Sequence, residues 1–374
     1  MGRSSSIPSG LPVGSVVQGI NLSGPEYVPC DGRPLARASY ARLAELFPFG
    51  KLTGTVRALV ESPPYYCIAA SPTYLVAAAA SGVSAVQYST DGVTWSKAGV
   101  ATPNTSVNSL IFAGTRWIAT STLGSAPFVT SGDNPNSTWT ELTGGTPSAV
   151  VRYGVAYSAA LGRAAFITQG ANPTIHTLEN GATALVARTA SSQTRSGICW
   201  SGSQFVTLNG ATISTSADGI TWADAPLPEG ASGTPGIASN GAGAVVISGV
   251  VSGLLLSQDH GATWAVAAIP GVPADSAWQV HYSGDRFFVP TTRGVAMSLD
   301  GREWFLEPQL IQLRSTATMF AKKGGAFVQI QAASPVAYSF AESATEFNAP
   351  LLQAYMPAAS GNPIPLPPSY IKAL

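Results

Sequence analysis

Charge is scarce in this chain. Only 10% of its 374 residues are charged, 19 basic against 19 acidic, and lysine occurs only at positions 51, 97, 322, 323 and 372. Binding a phosphate backbone needs clustered cations, so this dispersal excludes nucleic acid as a partner. Long apolar runs are missing too. Nothing approaches the roughly 18 residues of a membrane span, and Met1–Pro8 carries no signal-peptide hydrophobic segment. Neither membrane insertion nor a secretory leader is expected. Cysteine is limited to Cys30, Cys67 and Cys199, odd in number and far apart. This fits buried thiols in a reducing cytoplasm better than a disulfide framework. The three histidines, His176, His260 and His281, are more than 20 residues from one another and have no Cys or carboxylate at ligand spacing. No metal site and no cofactor are therefore expected. No Gly-x-Ser-x-Gly and no Cys/His pairing marks a nucleophile.

Small and turn-forming residues are abundant instead. The chain has 39 Gly and 28 Pro beside a hydrophobic fraction of 45%, which suits stacked sheets better than helices. A phrase ending in Trp recurs through it. Its fullest form is Ser257–Trp264, with relatives at Ser89–Trp95, Ser216–Trp222 and Ser298–Trp304 and a looser copy at Ser131–Trp139. Trp95 and Trp139 lie 44 residues apart, and the 83 residues from Trp139 to Trp222 leave room for a worn copy at Thr177–Ala184. From Ala184 the steps are 38 to Trp222, 42 to Trp264, 40 to Trp304 and 43 to Phe347, the end of a second worn copy, Ser339–Phe347. That makes seven repeats. Each holds four short runs rich in β-branched and aromatic residues, separated by Gly, Ser, Asp and Asn, the pattern of strands joined by hairpins. About 42 residues and four strands is one propeller blade. The predicted fold is all-β, a seven-bladed β-propeller of four-stranded blades spanning 56–346.

The two ends of the chain stand outside the repeat. Gly14–Ile20 reads as a strand, and Leu35–Phe47 as the one helix, with Tyr40, Leu43, Leu46 and Phe47 on an apolar face. Val28-Pro-Cys30-Asp31-Gly32 followed by Arg37-Ala-Ser-Tyr40-Ala-Arg-Leu43 resembles the phage tail collar domain. That family continues with a Phe-Asn-x-Pro segment and often finishes in Tyr-Ile-Lys. Here these pieces come after the repeats, as Phe347-Asn348-Ala-Pro350 and Tyr370-Ile371-Lys372. The resemblance implies a small α+β collar-like domain, 1–55 and 347–374, split by the propeller. Both chain crossings are expected to leave the propeller from connections between blades, the long-loop side.

The recurring phrase is similar to the Asp-box, or BNR, repeat of sialidases. Its Asp can accept hydrogen bonds from its own turn, Gly takes the φ > 0 position, and Trp covers the hairpin. Asp91, Asp133, Asp218, Asp259 and Asp300, with Trp95, Trp139, Trp222, Trp264 and Trp304, are thus read as structural and placed on separate blades where they cannot converge. His260, inside one such turn, is expected to face solvent. A sialidase would need an arginine triad. The first blade offers only Arg57, while Arg116 and Arg286 occupy the repeat position of Gln204. No catalytic residue is assigned. Recurring aromatics, Phe112, Trp200 and Tyr282 and likewise Trp117, Phe205 and Phe287, are read as core. Trp278, Tyr65, Tyr66 and Tyr74, less tied to the repeat, are the candidates for a ligand surface.

The collar resemblance implies a phage tail fibre or tail-tip receptor-binding protein whose propeller grips a host cell-surface glycan or protein. It also implies a homotrimer, contacts with other tail or baseplate proteins, and a place in the virion. A purely structural tail component is the alternative, and a sialidase-like polysaccharide hydrolase a third reading.

Overall fold

The structure, a computed structural model, describes residues 16–18, 27–30, 33–59, 65–79, 86–98, 107–121, 127–144, 150–168, 175–188, 196–209, 212–228, 231–250, 253–270, 272, 279–307, 318–331, 336–348, 355–356, 364–365 and 369–372. Seven four-stranded sheets form a β-propeller. In each blade the strands are labelled A to D, with A lining the central channel. Blade four is representative: A is Gly197–Trp200, B Phe205–Asn209, C Thr212–Ser216 and D Ala223–Pro226. Its B strand shows why the repeats are so apolar. Phe205, Val206, Thr207 and Leu208 are all fully buried, because a blade is covered on both faces by its neighbours. Val206 and Leu208 join a cluster with blade five, whereas Phe205 joins one with blade three. Each fully buried Phe of this kind contributes about 2–3 kcal/mol of transfer free energy. The D strand, on the rim, is exposed along its length.

The ring closes with strands from both ends of the propeller. Blade seven takes A, B and C from Thr318–Lys323, Ala326–Gln331 and Val336–Glu342, but its D strand is Leu52–Ala58, from ahead of blade one. Ser343 donates its backbone N–H to the Lys51 carbonyl (2.9 Å), and Gly54 lies under the Phe340 ring, so the two strands run antiparallel. Blade seven consequently has no C–D hairpin and no Asp-box. The worn copy Ser339–Phe347 is not a turn between C and D. Its second half leaves the sheet, and Phe347, fully buried, sits in the core of the other unit. The crossings also differ from expectation. The chain enters at the start of strand D and leaves at the end of strand C, the end where other blades carry their C–D turns, and not from an inter-blade connection.

The chain divides into two compact units, 1–53 with 341–374, and 54–340. In the smaller one, Ser369–Lys372 pairs antiparallel with both Val16–Gln18 and Tyr27–Pro29, and Pro34–Ala36 pairs with Glu346–Asn348. The predicted 13-residue helix is a single turn, Ala41–Ala44. Leu35 is drawn into the strand opposite Phe347, Tyr40 supplies no side-chain cap, and Pro48 disfavours helix at Phe47. Arg37 takes over the role of a C-cap. Its guanidinium donates to the carbonyls of Ala44 (3.3 Å), Phe47 (3.1 Å) and Phe49 (2.9 Å) and lies 5.5 Å over the Phe347 ring. Val28, Cys30, Leu35, Leu43 and Ala44 close around Phe347.

Candidate functional site

Two features occupy the end of the blades where the A–B and C–D turns lie. The first is the set of Asp-box turns. In blade one, Ser89 Oγ donates to Asp91 Oδ1 (2.9 Å) and accepts from the Gly92 N–H (2.8 Å), while Asp91 Oδ1 accepts from Val93 and Thr94 N–H (both 2.8 Å). Blade four repeats this through Ser216, Asp218, Gly219, Ile220 and Thr221, and blade six through Ser298, Asp300, Gly301 and Arg302. Glycine is required here: Gly92 has φ +73°. The rings close the turns, with Nε1 of Trp222, Trp264 and Trp304 donating to the Gly219, Gly261 and Gly301 carbonyls. Backbone N–H groups hold Asp91 and Asp218 below the usual carboxylate range. In blade five the Thr263 hydroxyl leads, with its N–H second, and Asp259 falls to about 2. The turn bonds fall on Oδ1 of Asp91, Asp218 and Asp300 and on both oxygens of Asp259.

Three turns depart from the pattern. In blade two Thr130 replaces Ser131, donating to the Gly132 carbonyl (2.6 Å). Asp133 Oδ1 is buried without a hydrogen-bond partner, and Asn134 accepts from the Asn136 N–H instead. Trp139 still closes the turn, on the Pro135 carbonyl (3.1 Å). In blade five the inserted His260 adopts φ +63°. It is half-buried, not solvent-facing, and its Nδ1 lies 3.0 Å from the Ser201 carbonyl of blade four. In blade three Glu179 turns to Arg163 (2.6 Å).

The turns also tie blades together. The residue opening strand B reaches the C–D turn of the next blade. Arg116 donates to the Ala182 (2.7 Å) and Glu179 (3.1 Å) carbonyls, Arg163 to that of Asp218, and Gln204 to that of His260 (2.8 Å). Across the ring closure the reach comes from the end of strand A, where Lys323 donates to the Thr90 carbonyl (2.5 Å). Arg116 is thus a clasp. Arg286 meets the next blade through a ring: its Nε bonds Asp285 (2.8 Å) and its guanidinium lies 4.6 Å over the Phe327 ring of blade seven.

The second feature is the channel. A cavity of about 740 Å³ is lined by A strands of all seven blades and reaches the A–B turns. Strand pairing aligns one position near the end of each A strand: Ala70, Phe112, Tyr157, Trp200, Ser239, Tyr282 and Lys322. All seven are half-buried and line the cavity. Phe112, Trp200 and Tyr282, read from their recurrence as core, pack against the core clusters and also line the channel. Their partners in strand B are the core. Trp117, Phe205 and Phe287 are fully buried and meet them at centroid distances of 5.1, 4.8 and 4.9 Å. Each pair packs at a steep angle, 58°, 63° and 64° between the ring planes. Lys322 takes the same seat, with Nζ 4.7 Å over Phe327 and 2.5 Å from Asp285 Oδ2. Close approach to Lys322 explains Gly284: any Cβ would fall 2.3 Å from the Lys322 side chain. Burial pushes the Asp285 carboxyl up, and the bonds from Arg286 and Lys322 outweigh it, leaving it below the usual range. Burial, then the Asp285 charge, raises the Tyr282 hydroxyl.

Of the ligand-surface candidates, Tyr65 is a core residue. It is 1% exposed, because its ring lies within the blade-one cluster and its hydroxyl accepts from Gln87. Tyr74 is half-buried edge-on against Tyr88 (5.7 Å). Tyr66 lies in strand A of blade one with its side chain outside the described residues, as is Trp278 entirely. Much of the long connections between blades also falls outside them. Among the described residues no cluster of three His, Cys, Asp or Glu could hold a metal, and no helix is long and apolar enough to cross a membrane. The three thiols are buried and unpaired with one another.

No family model and no curated protein matches this chain. Solved structures do. A virginiamycin B lyase from Staphylococcus aureus is 12% identical, with a TM-score of 0.64 over 78% of this chain and 100% of that one. YCF48 bound to D1 peptide is 13% identical, with a TM-score of 0.56 over 78% and 97%. The glycoside hydrolase NkGH74 of Niastella koreensis is 13% identical, with a TM-score of 0.60, and this chain covers 44% of it. The likeness shows the fold alone. Propellers of this form serve as a lyase and as a glycoside hydrolase in those proteins.

Proposed function

We propose that the protein is a host-attachment component of a phage tail, a receptor-binding protein whose propeller grips a host cell-surface glycan or protein without cleaving it. The observation that carries this reading is the small unit. The collar-like segments lie on either side of the propeller in sequence, yet Arg37 and Phe347 meet, and Ser369–Lys372 lies between two N-terminal strands. Such a unit can serve as the mount, made of both chain ends, from which an inserted propeller is displayed. In keeping with the collar resemblance, the protein is placed in the virion as a homotrimer bound to other tail or baseplate proteins. Neighbouring propellers hold ligands: YCF48 binds a D1 peptide, and the lyase was captured with quinupristin. Binding is favoured over hydrolysis because the Asp-box carboxylates are each bonded within their own turn and sit on separate blades, whereas glycoside hydrolysis needs two facing carboxyl groups.

The test is to incubate the purified protein with a panel of bacterial cells and with their isolated surface polysaccharides. Saturable adsorption to some strains without new reducing ends is expected. Release of reducing ends would make it a hydrolase, and absence of both would leave a structural tail part.

A further inference from the structure

We propose that the channel end at the A–B turns is a saccharide site, taking a neutral pyranose chain whose rings stack on Trp200, Tyr157 and Tyr282. This rests on the receptor-binding reading above and names its ligand and site.

The cavity has the size of ligand pockets, on the order of 300–1,000 Å³, and is concave, so it admits a chain end or short oligomer and not a flat protein surface. Its aromatic residues are consecutive: blades two, three and four contribute Phe112, Tyr157 and Trp200, and blade six adds Tyr282. Two of these rings, Trp200 and Tyr282, are backed at 4.8 and 4.9 Å by fully buried Phe205 and Phe287. A ring packed in this way loses little freedom on binding, and its half-buried place on the cavity wall lets a sugar stack on it. Tyr157 is held likewise, its hydroxyl against the blade-two turn, where a Cβ on Gly114 would meet it at 2.8 Å.

Charge then selects neutral over acidic sugars. The one Lys or Arg among the cavity-lining residues is Lys322, whose side chain is 15% exposed and whose Nζ is paired with Asp285 Oδ2 at 2.5 Å. Paired in this way and seated over the Phe327 ring, Lys322 offers no unpaired positive charge to a uronate or sialate group.

The experiment is calorimetric titration of the full-length protein with maltohexaose, cellohexaose, mannohexaose and galactan oligomers, and with polygalacturonate and polysialic acid as acidic counterparts. At least one neutral oligomer is expected to bind saturably. Trp200→Ala should weaken it about tenfold or more, with Trp200→Phe restoring most of the affinity. Circular dichroism and melting temperature show whether each variant stays folded, and Tyr282→Ala gives a second probe should the first not fold. Unchanged affinity in the folded variants, or a preference for the acidic polymers, overturns the site. A protein that adsorbs to cells but binds none of the neutral oligomers overturns the ligand class and leaves the receptor-binding reading standing. Failure to adsorb to any strain overturns that reading instead.

Discussion

The Asp-box turns and the channel end are products of the same repeat, at the same end of the blades, yet they dispose of their side chains in opposite ways. In the turns of blades one, four, five and six, Ser Oγ and Asp Oδ1 are bonded within the turn itself. At the channel the aligned position changes with every blade, from Ala70 to Trp200 to Lys322, and each side chain stays half-buried. A position that recurs unchanged within the chain serves the blade. One that is placed alike in every blade but filled differently is free to serve a ligand.

The largest effect should separate a core ring from the channel ring resting on it. Phe205→Ala is expected to destabilise the protein by about 3–5 kcal/mol, whereas Trp200→Ala should lose only about 1 kcal/mol, the value of the lost ring pair. Thermal melts of the two variants check this, and equal losses would break the comparison. Next comes the turn: Asp259→Ala removes the acceptor of the Thr263 N–H and hydroxyl and should cost about 1–2 kcal/mol, leaving cell adsorption intact. The same carboxylate predicts the acid limb. Its folded value of about 2 lies below the 3.8 of a solvated chain, so its contribution is complete above pH 3.8 and is lost as pH falls towards 2. Melting temperature measured across that range should fall less steeply in Asp259→Ala than in the parent protein. The smallest effect belongs to the clasp between blades. Gln204→Ala should cost about 1 kcal/mol, read as faster hydrogen exchange in the blade-five turn and not in blade two.

The seven blades were legible because the Asp-box phrase is a ruler, and even worn copies such as Thr177–Ala184 keep its spacing. Ring closure was not legible. Nothing local in Leu52–Ala58 says that it pairs with a strand nearly 300 residues later, and that pairing removed the seventh Asp-box and moved both crossings. The helix was overestimated because periodicity at Tyr40, Leu43 and Phe47 carries no information about the strand that claims Leu35. The channel side of the core-packed rings was not legible for a related reason. Trp200 and Phe205 are both recurring aromatics, and only their places in strands A and B decide that one lines a cavity while the other is enclosed by two blades. The signal that could have found them was present: aromatic residues just before the A–B turn in blades two, three, four and six, interrupted by Ser239.

The central claim is that ligand contact falls on the channel end and spares the Asp-box turns. Hydrogen–deuterium exchange of the full-length protein, with and without saturating surface polysaccharide from a strain it adsorbs to, tests this most directly. The prediction is slowed exchange in peptides covering Phe112, Tyr157, Trp200 and Tyr282, with no change at Ser89–Trp95, Ser216–Trp222 and Ser298–Trp304. Protection confined to those turns, with the channel strands unaffected, would contradict it.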